Sequence, residues 1–151
     1  MVVSERTLKW VMRFYPPLLL QRVWVKHVSK DFRTVEVRVF RSFLNTNYNK
    51  SIFGGTISSA SDPFYAVCLY QILKRKGLNV LIWVKSVQIN FLKPAYTSLK
   101  FTVSISPADL KIIDEELAGT GKTSIMFSLD IFNAEGELCA VVHNEVYIRK
   151  I

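Results

Sequence analysis

The spacing of apolar residues changes several times along the chain, and each change predicts a different element. The first pattern has helical spacing and predicts an N-terminal helix over about residues 4–15. Pro16 ends that helix, because a proline ring clashes with the preceding helical turn. Residues 23–28 and 34–43 then alternate apolar and polar side chains, as half-buried strands do. The residues expected on one face of the first helix are Leu8, Val11, Met12 and Tyr15.

The longest helical pattern follows the pair Gly54-Gly55 and ends near Lys76. Gly77 is placed to end it, since glycine readily adopts the left-handed conformation that often follows a helix. Apolar residues lie on most sides of this segment, which predicts a helix enclosed by a sheet. These residues are Phe64, Tyr65, Val67, Cys68, Leu69, Ile72 and Leu73.

The second half of the chain is predicted to be mostly strand. Ser106 followed by Pro107 is typical of a helix start, which predicts a short helix over residues 107–117. Residues 133–136 predict a hairpin turn. The segments with strand patterns are residues 80–93, 99–106, 124–132 and 138–148, and the first of these is long enough to need a bulge or strong curvature.

Together these elements predict a single α+β domain over residues 1–151, with an antiparallel sheet wrapped on a central helix. The composition agrees with this architecture. Half of the 151 residues are hydrophobic and 13% are aromatic, which suits one domain with a substantial core and excludes disorder.

The same composition bears on membranes and on the redox compartment. Polar side chains interrupt the longest apolar segment, residues 80–91, so we expect no transmembrane helix. Basic residues and prolines interrupt every possible signal-peptide core near the start. Cys68 and Cys139 lie far apart in sequence, and we expect reduced, buried thiols in a cytoplasmic protein.

The net charge is +8, from 20 Lys and Arg against 12 Asp and Glu. Such a charge suits nucleic acid, a membrane surface or a polyanionic small molecule such as coenzyme A. The basic residues are dispersed, and the run Lys74-Arg75-Lys76 lies where cations favour the C-terminal end of a helix. Solvated faces therefore explain most of the charge, and a ligand-steering role remains the alternative.

Residues 47–63 carry the most informative chemistry. They combine an amide (Asn47), a glycine at a helix start (Gly54) and a carboxylate (Asp62). Exposed backbone N–H groups and a carboxylate are enough to attack an ester or thioester. They also suit purely structural roles, because Asp62 before Pro63 is a typical helix N-cap and Asn47 is a typical turn residue. Both interpretations stay open at this point.

These residues resemble the hotdog-fold superfamily, and in particular acyl-CoA thioesterases of the PaaI-like type. That family places an Asn seven residues before a Gly-Gly pair and an acidic residue eight after its first Gly, which Asn47, Gly54 and Asp62 match. Residues 89–95 are similar to a family strand that ends in a hydrophobic-basic-proline turn. Finer features resemble a less-characterised thioesterase branch, a domain of unknown function. The resemblance covers about residues 20–150.

The resemblance implies a hotdog fold and specific roles for three residues. The Gly54 N–H would polarise the thioester carbonyl, Asn47 would orient water or hold the carbonyl, and Asp62 would be the general base or the nucleophile. It also implies that Asn47 and Gly54 come from one subunit and Asp62 from its partner, in a homodimer or a dimer of dimers. No cofactor is implied, because coenzyme A is part of the substrate.

The sequence departs from the family pattern at two positions. Phe53 stands where many members have His, which makes the pocket more apolar. Val84 stands where some members carry a water-binding hydroxyl, and Ser86, two residues on and expected on the same strand face, is the possible substitute. The expected substrate-binding residues are Gly55, Phe53, Phe64, Tyr65, Trp83 and Ser86.

These departures keep a second hypothesis open, a non-catalytic protein that binds acyl or aromatic small molecules. A nucleic-acid module is disfavoured, because clustered cations interleaved with aromatics are absent. Residues 119–123 imitate the end of a P-loop but lack its first glycine and precede a strand pattern. His27 and His143 have no ligand-spaced neighbours, so no metal site is predicted.

Overall fold

The computed structural model describes residues 1–151 and contains five helices and six strands. The helices are α1 (Glu5–Phe14), α2 (Pro16–Leu20), α3 (Gly54–Ser61), α4 (Pro63–Arg75) and α5 (Pro107–Gly119). The strands are β1 (Val23–Val28), β2 (Thr34–Val39), β3 (Val80–Phe91), β4 (Leu99–Ser104), β5 (Lys122–Phe132) and β6 (Leu138–Lys150). The predicted α+β class is confirmed.

All six strands form one sheet in the order β1-β2-β4-β5-β6-β3, and every neighbouring pair is antiparallel. One side of each strand is apolar and faces the helices. Tyr65 of α4 stacks on Phe127 of β5 with ring centroids 4.3 Å apart, and Phe64 meets the edge of Phe101 at 6.1 Å. The central helix is therefore fixed to the sheet by aromatic contacts in addition to its aliphatic packing.

The long strand β3 contains the predicted bulge, between Val84 and Ser86. Before the bulge Val84 pairs with buried Val146, whereas after it Ser86 pairs with the next residue back, Glu145. Because side chains alternate along β6, Val84 and Ser86 face opposite sides of the sheet. The expectation that Ser86 shares the face of Val84 is therefore wrong, since the extra residue reverses the alternation.

The N-terminal helix packs on β1, and Arg13 makes a polar and cationic contact there. Its guanidinium carbon lies 4.5 Å from the ring centroid of Trp10 and 4.3 Å from that of Trp24. Arg13 Nε also donates to the Val25 carbonyl at 2.8 Å. Leu8 and Met12 are buried as expected, whereas Val11 and Tyr15 are 57% and 49% exposed. The apolar face of α1 is thus narrower than the sequence pattern indicates.

Two predicted boundaries change for local reasons. Pro16 ends α1 and also begins α2, because the first turn of a helix needs no N–H from its first residue. β2 stops at Val39 rather than continuing to residue 43, since the chain turns into a loop held by Asn45. Gly77 follows the central helix with φ +80°, as expected of the residue after a helix end.

No helix in the structure is long and apolar enough to cross a membrane.

The start of α5 is a complete capping box. Ser106 Oγ accepts a hydrogen bond from the Asp109 N–H at 3.1 Å, and the Asp109 carboxylate accepts from the Ser106 N–H at 2.8 Å. This reciprocal pair satisfies two N–H groups that have no partner inside the helix. The predicted N-cap at Ser106 is confirmed.

We predict that Ser106→Ala lowers the free energy of unfolding by about 1 kcal/mol, because it leaves the α5 amide without its side-chain acceptor. Chemical denaturation measures the change. Ser104→Ala is the matched control, since Ser104 is exposed and its hydroxyl makes no hydrogen bond in the chain. Equal unfolding free energies for the two variants would contradict the role of the capping box.

Candidate active site

The loop before α3 is held by a buried asparagine, Asn45, which is 2% exposed. Its Nδ2 donates to the carbonyls of Gln21 and Phe40, both at 2.9 Å, and its Oδ1 accepts from the Ser42 N–H at 2.9 Å. These bonds tie the loop to the segments before β1 and after β2. Sequence reasoning treated Asn45 only as part of an Asn-rich turn, because a buried amide and an exposed one look alike in sequence.

Asn47 organises the tip of this loop. Its Oδ1 accepts from the Asn49 N–H at 3.0 Å and from the Ser51 N–H and hydroxyl, both at 3.2 Å. The Nδ2 group makes no hydrogen bond within the chain, so it remains available as a donor. The turn role is therefore observed, and it leaves Asn47 able to donate to a ligand but not to accept from one.

Asn47 and Gly54 line the same cavity, which has a volume of about 370 Å³ and which we call the Gly54 cavity. Its opposite wall is the segment 91–95, joined to the loop by the Ile52 N–H, which donates to the Ala95 carbonyl at 2.8 Å. The two sequence motifs that carry the family resemblance thus face each other. The lining residues are Asn47, Ser51, Ile52, Gly54, Ile57, Phe91, Leu92, Lys93, Pro94 and Ala95.

Both glycines lie close to the rings of exposed aromatic residues. A Cβ on Gly54 would lie 3.1 Å from Cζ of Phe91, and a Cβ on Gly55 would lie 2.3 Å from Cε1 of Phe53. No side chain caps the N-terminus of α3, where the first N–H groups have no partner inside the helix. Backbone donors and the positive end of the helix dipole therefore lie beside the Gly54 cavity.

Asp62 lies at the junction of α3 and α4, where Pro63 breaks the long predicted helix into two. Its backbone is α-helical and its side chain makes no capping hydrogen bond, so the N-cap interpretation is wrong. Partial burial raises the pKa of the Asp62 carboxyl above its ordinary value. Such a shift makes a carboxylate a stronger base.

The Asp62 side chain lines a different cavity, of about 360 Å³, which we call the Asp62 cavity. Gly54 and Asp62 are at opposite ends of α3, which corresponds to a rise of roughly 12 Å along the helix. The chain therefore brings Asn47 and Gly54 together but not Asp62. The lining residues of the Asp62 cavity are Tyr15, Pro17, Leu18, Ser58, Ser59, Asp62 and Pro63.

Asn144 supports the helix junction from the sheet, and sequence reasoning missed this role. It is 0% exposed on β6, and its Nδ2 donates to the carbonyl of Ser61 at 3.2 Å. Its Oδ1 has no partner. A polar residue on the otherwise apolar inner face of β6 is the sequence signal that could have marked it, since buried amides normally need a partner.

Four expected substrate-binding residues lie away from both cavities. Phe64 and Tyr65 are 2% and 1% exposed because they face the sheet. Trp83 contacts Tyr147 on the opposite side of the sheet, with ring centroids 4.6 Å apart. The Ser86 hydroxyl donates to Glu145 at 3.0 Å. Within one chain these four side chains line neither the Gly54 cavity nor the Asp62 cavity, and their role in substrate binding stays a prediction.

A family model for a domain of unknown function (DUF4442) matches residues 4–148. No curated protein matches the chain.

Solved structures match across the whole chain. A protein of unknown function from Pseudomonas aeruginosa is 14% identical, with a TM-score of 0.86 over 100% of this chain and 99% of that one. A thioesterase from Haemophilus influenzae is 9% identical, with a TM-score of 0.71 over 99% and 93%. The PaaI protein of the E. coli phenylacetic acid degradation operon is 14% identical, with a TM-score of 0.65 over 98% and 96%. The expected hotdog fold is confirmed.

The raised pKa of Asp62 predicts how stability depends on pH. A carboxyl group with a higher pKa in the folded state is destabilising when charged, so Asp62→Asn should raise Tm at pH 7. The gain should shrink as pH falls through the folded-state pKa and vanish below the unfolded value of about 4.

Asp31→Asn provides a control of opposite sign. Hydrogen bonds from Ser29 and Arg33 lower the pKa of Asp31 to about 2. This variant should therefore lose stability at pH 7, and its deficit should disappear as the pH falls from about 4 to about 2. Thermal melts from pH 2 to pH 7 measure both effects, and an unchanged or lower Tm for Asp62→Asn at pH 7 would contradict the raised pKa of Asp62.

Proposed function

The chain belongs to the DUF4442 family, and on that premise we propose that it is a thioesterase that hydrolyses acyl-CoA or a related thioester. One observation carries the proposal. Asn47 and Gly54 line one cavity whose backbone donors suit an oxyanion, while Asp62, a carboxylate with a raised pKa, lines another. These are two complementary halves of a hydrolytic site, and they require a second copy of the chain to meet.

In the proposed reaction the thioester carbonyl lies at the start of α3. The Gly54 N–H and the free Nδ2 of Asn47 donate to the carbonyl oxygen and stabilise the charge that develops there. Asp62 of the second copy takes a proton from water while the water oxygen bonds to the carbonyl carbon. The addition gives a tetrahedral intermediate. Its collapse breaks the C–S bond, and the leaving thiolate takes the proton from Asp62. No cofactor is needed, since coenzyme A belongs to the substrate.

The sheet edge supports a homodimer. β3 pairs only with β6, so one edge of this 12-residue strand carries backbone groups without a strand partner. Long edge strands with half-buried apolar side chains are templates for pairing with another chain. Two copies would meet through the same edge in a symmetric interface. A dimer of dimers would need a further surface.

A non-catalytic binder of acyl or aromatic ligands is the second candidate. The position of Ser86 favours it, because the bulge turns this hydroxyl towards Glu145 and leaves apolar Val84 on the inner face. Exposed Phe53 beside Gly55 adds apolar surface near the Gly54 cavity. In this case the protein would bind acyl thioesters without consuming them.

We predict that Asp62→Asn lowers kcat for acyl-CoA hydrolysis by about 100- to 10,000-fold, because it removes the general base. The amide has nearly the same shape, so KM should change little. Thiol release from a panel of acyl-CoAs measures the effect, with circular dichroism as the control for folding. If wild type and variant are equally inert while both bind the ligand, the protein is a binder.

A mixing experiment tests the shared site. Asn47→Asp keeps the acceptor oxygens that hold the turn but removes the Nδ2 donor, so this variant and Asp62→Asn should each be inactive alone. In a mixed dimer, one of the two sites combines the intact Asn47 of one copy with the intact Asp62 of the other. After random subunit exchange half of the dimers are mixed, and we expect about a quarter of the wild-type activity. No recovery in verified mixed dimers would place the whole site within one chain.

A further inference from the structure

Resting on the proposed function, we infer that the acyl group occupies the Asp62 cavity and that Tyr15 closes this cavity and limits the length of the acyl chain. Tyr15 is then a specificity-determining residue supplied by the N-terminal helices. The inference follows from the charges of the two cavities and from the position of Tyr15.

The Asp62 cavity is unsuited to the phosphate groups of coenzyme A. Its only charged residue is Asp62, and none of its lining residues is basic. A phosphate placed there would be repelled by the carboxylate. The rest of the lining mixes apolar groups with the small polar residues Ser58 and Ser59. It carries no charge, which suits an uncharged acyl group.

The Gly54 cavity has the opposite character. Lys93 lines it, and the adjoining loop carries Lys50. Arg41 also reaches this loop, where its Nη2 donates to the Lys50 carbonyl at 2.7 Å. Lys93 forms a salt bridge with Glu137 at 2.8 Å. The remaining positive charge near this cavity therefore comes mainly from Lys50 and Arg41. An anionic thiol carrier therefore approaches from this side, and the acyl group points away from it.

The surrounding structure fixes the backbone of Tyr15 while its side chain stays unpartnered. The residue sits at the elbow between α1 and α2, one residue before Pro16. On one side Arg13 anchors α1 to the sheet, and on the other Leu18 is 2% exposed in the core. The Tyr15 side chain makes no hydrogen bond or aromatic pair, yet it lines the cavity that holds Asp62. Because Tyr15 lines the cavity from a fixed backbone, removal of its ring enlarges the cavity.

The expected consequence is a change in chain-length preference rather than a general loss of activity. Removing the ring opens space for further methylene groups, and each methylene changes kcat/KM by about 10-fold or more when a pocket can or cannot hold it. The native substrates are therefore thioesters of short or compact acyl groups. Asp62, the Gly54 amide and Asn47 are untouched by this change.

The experiment measures kcat/KM over a straight-chain series from acetyl-CoA to dodecanoyl-CoA. We expect Tyr15→Ala to raise the ratio of long-chain to short-chain kcat/KM by about 10-fold or more. Tyr15→Phe keeps the ring and should leave the profile unchanged. Phe14→Ala is the matched control, because Phe14 is exposed on the same helix but stacks on Trp10 and does not line the cavity.

Two results would overturn the inference. One is a uniform change by Tyr15→Ala at every chain length, and the other is the same shift in Phe14→Ala. Failure of the proposed function looks different, since wild type would then release no thiol from any member of the series. In that case calorimetric Kd values for the same acyl-CoAs decide the role of Tyr15. A chain-length preference that moves only in Tyr15→Ala supports it, and an unmoved preference rejects it.

Discussion

The break in the central helix at Pro63 is the constraint on which the rest of the structure depends. A proline within a helix cannot donate to the preceding turn, so the segment divides into α3 and α4. The break places Asp62 at the end of α3 opposite Gly54, and it leaves α4 free to pack on the sheet. Asn144 donates to the Ser61 carbonyl at the junction and so links this break to β6.

The division separates packing from chemistry. α4 carries Phe64 and Tyr65 into the core, where aromatic contacts with β4 and β5 fix the helix. The shorter α3 has an uncapped N-terminus beside the Gly54 cavity, and a carboxylate of raised pKa follows its other end beside the Asp62 cavity. A carboxylate with a raised pKa lowers the stability of the fold when it is charged. Such a group beside a cavity is typical of a functional site.

Much of the fold could be predicted because local patterns and tertiary packing agree. The strands, the N-cap of α5 and the bulge in β3 all follow from alternation, helix-start residues and segment length. The wrong predictions arise where a single residue changes which groups, distant in sequence, come together. A bulge reverses the facing of Ser86, and only the pairing with β6 reveals on which side of it Ser86 falls. Similarly, exposed Tyr15 and buried Leu8 belong to one apolar pattern, and only packing separates them.

The sequence by itself determined the α+β class, the family resemblance and the spacing of Asn47, Gly54 and Asp62, because these depend on residue order and local conformation. Only the tertiary structure decided which groups meet. It joined the loop of Asn47 to the segment 91–95, assigned Asp62 to a cavity shared with Tyr15, and turned Ser86 away. The physical reason is that cavities form between elements distant in sequence, so their lining depends on how these elements pack and on the exact position of the bulge in β3.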